Sequence, residues 1–240
     1  MISVIIPTLN EEADLPHLLH ALRCEEAEHE TLVVDGGSGD RTVALARQLG
    51  ARVLVAKPGR GIQLRLGAAE SSGDVLLFLH ADSRFPKGGL ARIEEALASM
   101  PDVVGGNFRL LFDGDTPFSR WLIGFYALIR RLGLYYGDSG VFVRRSTYEV
   151  LGGMRPVALM EDLDFVRRLE KHGRTCCISD PPLTTSSRRF EGRSPLAIIY
   201  GWLKLHALYH LGVRPERLAQ IYATHAPATE SKGSPARPTT

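Results

Sequence analysis

Cysteine is scarce in this chain: three in 240 residues, Cys24 and the adjacent pair Cys176 and Cys177. An odd, unspaced set makes no disulfide framework and no zinc-ligand spacing. A reducing, cytoplasmic setting is therefore expected. Long apolar runs are missing too. No stretch reaches the ~18 uncharged residues of a membrane span. The start, Met1-Ile2-Ser3-Val4-Ile5-Ile6-Pro7, lacks the basic stretch of a signal peptide and reads as a first strand. Charge of one sign is nearly balanced: 29 Lys and Arg against 27 Asp and Glu leave a net +2. That total gives no reason to expect a nucleic-acid partner. Internal repeats are absent as well.

What is present is an ordinary core composition, 44% apolar and 23% charged. Apolar strand patterns at 3–6, 31–34, 52–56 and 74–79 alternate with helical patterns at 15–22, 42–49, 61–71 and 90–99. Such alternation predicts an α/β fold with a mostly parallel central sheet flanked by helices. Right-handed crossovers then put the loops 7–12, 35–41 and 80–84 on one edge, where open α/β sheets bind ligands. The second half is less regular. A strand is expected at 103–112, an apolar, aromatic helix with interspersed arginines at 118–132, a short strand at 140–143, and helices at 161–171 and 196–211. One domain is expected over 1–222, with a first half 1–112 and a second half 113–222. The composition of 223–240 predicts disorder.

Several motifs carry chemistry, each with a plain alternative. Asp35-Gly36-Gly37-Ser38-Gly39-Asp40 follows a strand and opens a helix. It is not Gly-x-Gly-x-x-Gly, and no Lys-Ser/Thr follows, so neither a dinucleotide fingerprint nor a P-loop is supported. Asp35 could meet a base or ribose, while Asp40 reads as a helix cap. Pro7-Thr8-Leu9-Asn10-Glu11-Glu12 offers polar groups to a nucleotide, or simply helix-entry chemistry. Lys57-Pro58-Gly59-Arg60-Gly61-Ile62-Gln63 would touch phosphate or base through Arg60 and Gln63, or be a basic surface turn. Leu79-His80-Ala81-Asp82 ends an apolar run on a carboxylate, a hard oxygen ligand suited to Mg²⁺ or Mn²⁺; the alternative is a strand-end turn. Met160-Glu161-Asp162-Leu163-Asp164 opens a helix. Its acids either settle the helix dipole or supply a general base, Asp162, whose proton affinity its acidic neighbours would raise. Arg188-Arg189-Phe190 could fork onto a diphosphate or be a solvated pair.

Together these residues resemble the family 2 glycosyltransferases of GT-A fold. The marks are Ser3-Val4-Ile5-Ile6-Pro7-Thr8-Leu9-Asn10-Glu11-Glu12, Val34-Asp35-Gly36-Gly37-Ser38-Gly39-Asp40-Arg41-Thr42, Phe78-Leu79-His80-Ala81-Asp82 and Met160-Glu161-Asp162, in this order over about residues 1–190. The stretch 136–145, including Gly137-Asp138, looks like a cytoplasmic bacterial branch whose members often accompany radical-SAM proteins. The resemblance implies an inverting transfer from a UDP- or GDP-linked sugar to an acceptor hydroxyl. It implies nucleotide contacts from Pro7, Thr8, Asn10, Glu11 and Asp35. It implies a divalent ion, Mn²⁺ or Mg²⁺, on Asp82, a catalytic base at Asp162 with Glu161 beside it, and diphosphate contacts from Arg188 and Arg189. His80 and Ala81 complete the metal-motif segment, and Asp138 joins the substrate side. Two departures stand out: Gly36 replaces the family's usual second acid after strand two, and His80 replaces the first acid of Asp-x-Asp. A sugar-phosphate nucleotidyltransferase and an inactive nucleotide-sugar-binding protein are the alternatives. The acidic first loop argues against the former. The apolar, arginine-flanked segments 118–131 and 198–205 leave open core packing, a homodimer, or a lipid-linked acceptor with peripheral attachment at the inner membrane face.

Overall fold

The computed structural model describes residues 1–114, 116–186 and 194–223. The expected tail and the Arg188-Arg189 pair lie outside these residues, save Ala223. Two compact units are present, Met1–Ser186 and Ser187–Thr240.

The first unit alternates as its sequence requires. It contains β1 (Ile2–Thr8), α1 (Leu15–Arg23), β2 (His29–Asp35), α2 (Thr42–Gln48), β3 (Arg52–Val55), α3 (Arg60–Glu70), β4 (Val75–Phe78) and α4 (Gly89–Ser99). There follow β5 (Val103–Phe112), α5 (Pro117–Arg131), a 3₁₀ turn (Gly137–Ser139), β6 (Val141–Arg144), α6 (Arg145–Val150), α7 (Glu161–His172) and β7 (Arg174–Thr185). The seven strands form one sheet in the order β3-β2-β1-β4-β6-β5-β7. β6 is antiparallel to both β4 and β5, and the other pairings are parallel.

Side chains alternate across this sheet with the strand period of two. Ile2, Val4 and Ile6 of β1, with Leu77 of β4, pack with α1, Ala46 of α2, and Leu90, Ile93 and Leu97 of α4. Ile5 of β1, with Leu76 and Phe78 of β4, faces Leu64 and Ala68 of α3, Tyr148 of α6, and Phe165, Val166 and Leu169 of α7. Burying each of these large side chains contributes about 1.5–3 kcal/mol. α3 lies especially close to the sheet. A β-carbon at Gly67 would come within 2.5 Å of Ile5 Cγ2, so glycine there sets the depth at which Arg60 is presented.

Three details differ from the sequence reading. β1 continues through Pro7 to Thr8 instead of stopping at Ile6. Ile5 O accepts from Leu79 N and Thr8 O from Gly36 N, so Pro7 faces the β4 side beyond that strand's last paired residue, and its missing N–H breaks no ladder bond. β7 was not expected, because Asp180-Pro181-Pro182 interrupts its pattern. The strand absorbs them at a register shift opposite Phe108 and Leu110 of β5. α6 was also not anticipated.

The second unit holds α8 (Pro195–His210) and α9 (Pro215–Ala223), which pack on each other. Ser194 caps α8 by accepting from Ala197 N at 3.2 Å. His206 lies against Trp202, ring centroids 4.0 Å apart. Among the described residues, no helix is long and apolar enough to cross a membrane.

Candidate active site

Register brings the first two loops together, because Thr8 pairs with Asp35. The Asp35 carboxylate, 2% exposed, then accepts from Thr8 Oγ1 at 3.2 Å, from Gly37 N and Ser38 N at 2.8 Å each, and from Ser38 Oγ at 2.5 Å. The two loops also clasp each other directly. Asn10 N donates to Ser38 Oγ, and Asn10 Oδ1 accepts from Gly39 N. Glu11 N donates to Thr42 Oγ1, Glu12 N to Asp40, and Arg41 N to Glu12. Asp40 accepts from Thr42 N at 3.0 Å as α2 begins. Its carboxyl lies below the usual range: burial opposes the shift, but the Thr42 hydroxyl and backbone bonds outweigh it.

Gln63 is placed by the close seat of α3. Its Nε2 donates to Thr8 O at 2.8 Å and Val34 O at 2.7 Å, bracing β1 against β2. A β-carbon on Gly36 would stand 3.1 Å from that nitrogen. The departure at Gly36 and the residue Gln63 are therefore one packing arrangement.

The charged part of the site gathers around Arg60, the first residue of α3. Its Nε donates to Glu161 Oε1, its Nη2 to Asp162 Oδ2 at 2.9 Å, and its Nη1 to His80 Nε2 at 2.9 Å. Asp162 Oδ2 also accepts from Gly137 N at 3.0 Å, and Oδ1 from Leu163 N at 2.8 Å. A β-carbon on Gly137 would sit 3.0 Å from His80 Nε2 and 3.3 Å from Asp162 Oδ2, so any side chain there would press on both groups. Met160 takes a left-handed turn (φ 66°) just before the two acids, a conformation costing a non-glycine residue about 1 kcal/mol or more. The acids are buried, Glu161 at 2% and Asp162 at 7% exposure, and they open α7, where the helix dipole favours negative charge.

The electrostatics reverse the sequence expectation. Burial would raise the Asp162 carboxyl, but the Arg60 charge and the Gly137 and Leu163 amides hold it below the usual range. It is Glu161 that burial pushes upward, against the pull of Arg60. Arg60 itself stays firmly protonated: both acids outweigh its desolvation. Asp164, third in the acidic run, serves the fold by binding Arg155 at 3.0 Å and Arg168 at 2.8 Å.

At the end of β4 the turn is pinned by Ser83 N donating to His80 O at 3.1 Å. Ala81 and Ser83 are buried and Asp82 between them is half-buried. One hollow is lined by Arg60, Leu64, His80, Gly137, Met154 and Asp162, among others. The structure thus joins His80, Arg60, Glu161 and Asp162, and separately joins Thr8, Asn10, Glu11, Asp35 and Gln63. Asp138 is half-buried in the 3₁₀ turn, and its charge acts on Arg60. The Gly137 amide was not anticipated. Nor was the pairing of Arg60 with acids more than a hundred residues away, for which local sequence carries no signal.

A mostly parallel sheet with acids at its carboxyl edge and at the start of α7 defines a GT-A type α/β fold. Residues 3–147 match the profile of Glycosyl transferase family 2, and the chain belongs to that family. It is 31% identical over 172 residues to undecaprenyl-phosphate 4-deoxy-4-formamido-L-arabinose transferase of Pseudomonas paraeruginosa, covering 64% of this chain and 49% of the relative. It is 39% identical over 89 residues to 4,4'-diaponeurosporenoate glycosyltransferase of Staphylococcus haemolyticus, covering 34% and 24%. The chain spans half or less of the length of these curated relatives. A solved mannosyltransferase, PcManGT from Pyrobaculum calidifontis, in complex with GDP-Man and Mn²⁺, shares the fold with a TM-score of 0.62 at 19% identity, covering 94% of this chain and 65% of that one.

Proposed function

We propose that the chain transfers a sugar from a nucleoside-diphosphate donor to an acceptor hydroxyl with inversion. The observation that carries this reading is that Arg60 draws Asp162, at the start of α7, and His80, from the end of β4, into one cluster, its Nη2 and Nη1 donating to them at 2.9 Å each. The clasped loops at Asn10 and Ser38 offer a preorganised edge for the nucleoside. The acceptor hydroxyl gives its proton to Asp162 as its oxygen bonds the anomeric carbon. The opposite bond, from that carbon to the diphosphate, breaks with its electron pair leaving on the diphosphate. Positioning and charge stabilisation supply most of the acceleration.

A divalent ion fits this site in one way. Among the described residues no cluster of three His, Cys, Asp or Glu is arranged to hold a metal. His80 Nε2 bonds to Arg60, and Asp82, half-buried beyond the end of β4, would supply one hard oxygen ligand. A single carboxylate suits Mg²⁺ or Mn²⁺ completed by phosphate and water. When bound, such an ion supplies Lewis-acid neutralisation of the departing diphosphate. The Mn²⁺ and GDP-Man in the PcManGT complex support a divalent ion accompanying the donor.

The undecaprenyl-phosphate relative supports a lipid-linked acceptor. So does an aromatic row: Phe118 and Trp121 stack at 6.1 Å, Trp121 and Phe125 at 5.4 Å, and Tyr126 reaches Tyr136, beside Gly137, at 6.3 Å. Flotation with anionic vesicles tests the membrane reading. A cytoplasmic location and the radical-SAM-associated branch suggested by residues 136–145 belong to the same proposal.

The test of the reaction is a panel of UDP- and GDP-sugars with Mn²⁺ and Mg²⁺, reading product and anomeric configuration. A second reading, a donor-binding protein without turnover, is favoured by the three donors on Asp162. Tight donor binding with neither transfer nor hydrolysis would establish it instead.

A further inference from the structure

Three donors on one carboxylate make a well-held anion and a poor proton acceptor. Two of those on Asp162 are backbone amides, from Gly137 and Leu163, fixed by the 3₁₀ turn and by α7. The third is Arg60, on a long flexible stem, with its side chain 33% exposed and lining the hollow. A guanidinium fork binds phosphate as readily as carboxylate. Arg60 therefore has two competing classes of partner: the acids that hold it and the diphosphate that would enter beside it.

We propose that Arg60 is a donor-sensing positioning residue: it covers Asp162 in the resting site and moves onto the diphosphate when donor binds, opening the Asp162 oxygen to the acceptor hydroxyl. This rests on the transferase reading above and adds the order of events. The charged groups facing Asp162 are Arg60 from α3, His80 from the β4 end and Glu161 from its own helix, with Asp138 of the 3₁₀ turn acting on Arg60. Withdrawal of Arg60 removes the cation shared by two adjacent buried carboxylates, a pair that favours taking up one proton. That proton is the acceptor's, and it arrives only after the donor is in place. The device also limits idle proton capture in the empty site.

The test uses the wild-type protein labelled with [¹⁵N]arginine, the Arg60 Nε–H signal being assigned through Arg60→Lys and Arg60→Gln. UDP and GDP, each with Mn²⁺, are added at saturation, with uridine and guanosine as controls. The expected result is that the Arg60 signal moves with one diphosphate and not with its nucleoside. An unmoved signal, or no binding of either diphosphate, overturns the proposal. A moved signal without transfer from any donor in the panel would leave the Arg60 exchange standing and defeat the transferase reading. With an active enzyme, pH profiles of Arg60→Gln give a second test. The acid limb of kcat/KM, which reports the free enzyme, should rise by about one to two pH units, while that of kcat, which reports the donor complex, stays put. Equal shifts in both limbs would mean that Arg60 never leaves Asp162, and would overturn the exchange.

Discussion

Asp35 and Asp162 are both buried acids near the carboxyl edge of the same sheet, yet they are held in opposite ways. Asp35 is held by neutral donors from its own loop and from Thr8 on the paired strand. Asp162 is held by two amides and a cation delivered from α3. The first arrangement has no member that a ligand would readily exchange, and it acts as a clasp. The second depends on a side-chain cation, the group that the proposed exchange would move. In the proposed reaction the Asp35 edge would hold the nucleoside rigidly and the α7 edge would carry the chemistry.

Asp162→Asn should break the comparison most sharply. Asparagine keeps an oxygen for the Gly137 amide but cannot take a proton, so kcat should fall by about 10²–10⁴ at temperatures where the variant, though less stable, is still cooperatively folded. Undiminished turnover would end the base assignment. Asp35→Ala should act on the other side of the comparison. It leaves the Gly37 and Ser38 amides without their acceptor and should cost about 1–3 kcal/mol in denaturant unfolding, raising KM for donor more than it lowers kcat. Ser38→Ala removes one hydroxyl from the same clasp and should cost about 1 kcal/mol.

Asp162 and its neighbour Glu161 should part in pH dependence. A carboxyl lowered on folding stabilises the protein above its unfolded value, about 3.9 for Asp, and that contribution fades as pH falls through the lower folded value. The stability gap between wild type and Asp162→Asn should therefore narrow as the medium is acidified below about pH 4. Glu161, raised on folding, works the other way: its charge costs stability as pH rises past its usual range, so Glu161→Gln should lose less at neutral pH than removal of a paired buried charge suggests. Urea titrations across pH 2–7 would check both signs.

The alternating half of the fold was legible because its strands and helices each keep one period from end to end, as 31–34 and 90–99 do. β7 was not, because Asp180-Pro181-Pro182 reads as a break and only the register shift against β5 makes room for it. The tip of β1 is hidden at Pro7 for a related reason: whether a proline ends a strand depends on which neighbour its nitrogen faces. Of the cluster around Arg60, His80, Glu161 and Asp162 stand out in sequence from the motifs they end or open. The destinations of Arg60 and Gln63 could not. Both open α3 just after a glycine-rich stretch that reads in sequence as basic and solvated, and their partners come from distant segments brought together by the close seat of α3 on β1.

The most direct measurement is a crystal structure with GDP or UDP and Mn²⁺ bound. We expect the diphosphate beyond the end of β4 with the ion on Asp82, Arg60 turned from Asp162 toward phosphate, and the Asp162 oxygen facing the space where an acceptor would approach. A diphosphate bound away from Asp82, with Asp162 still closed beneath Arg60, would contradict it.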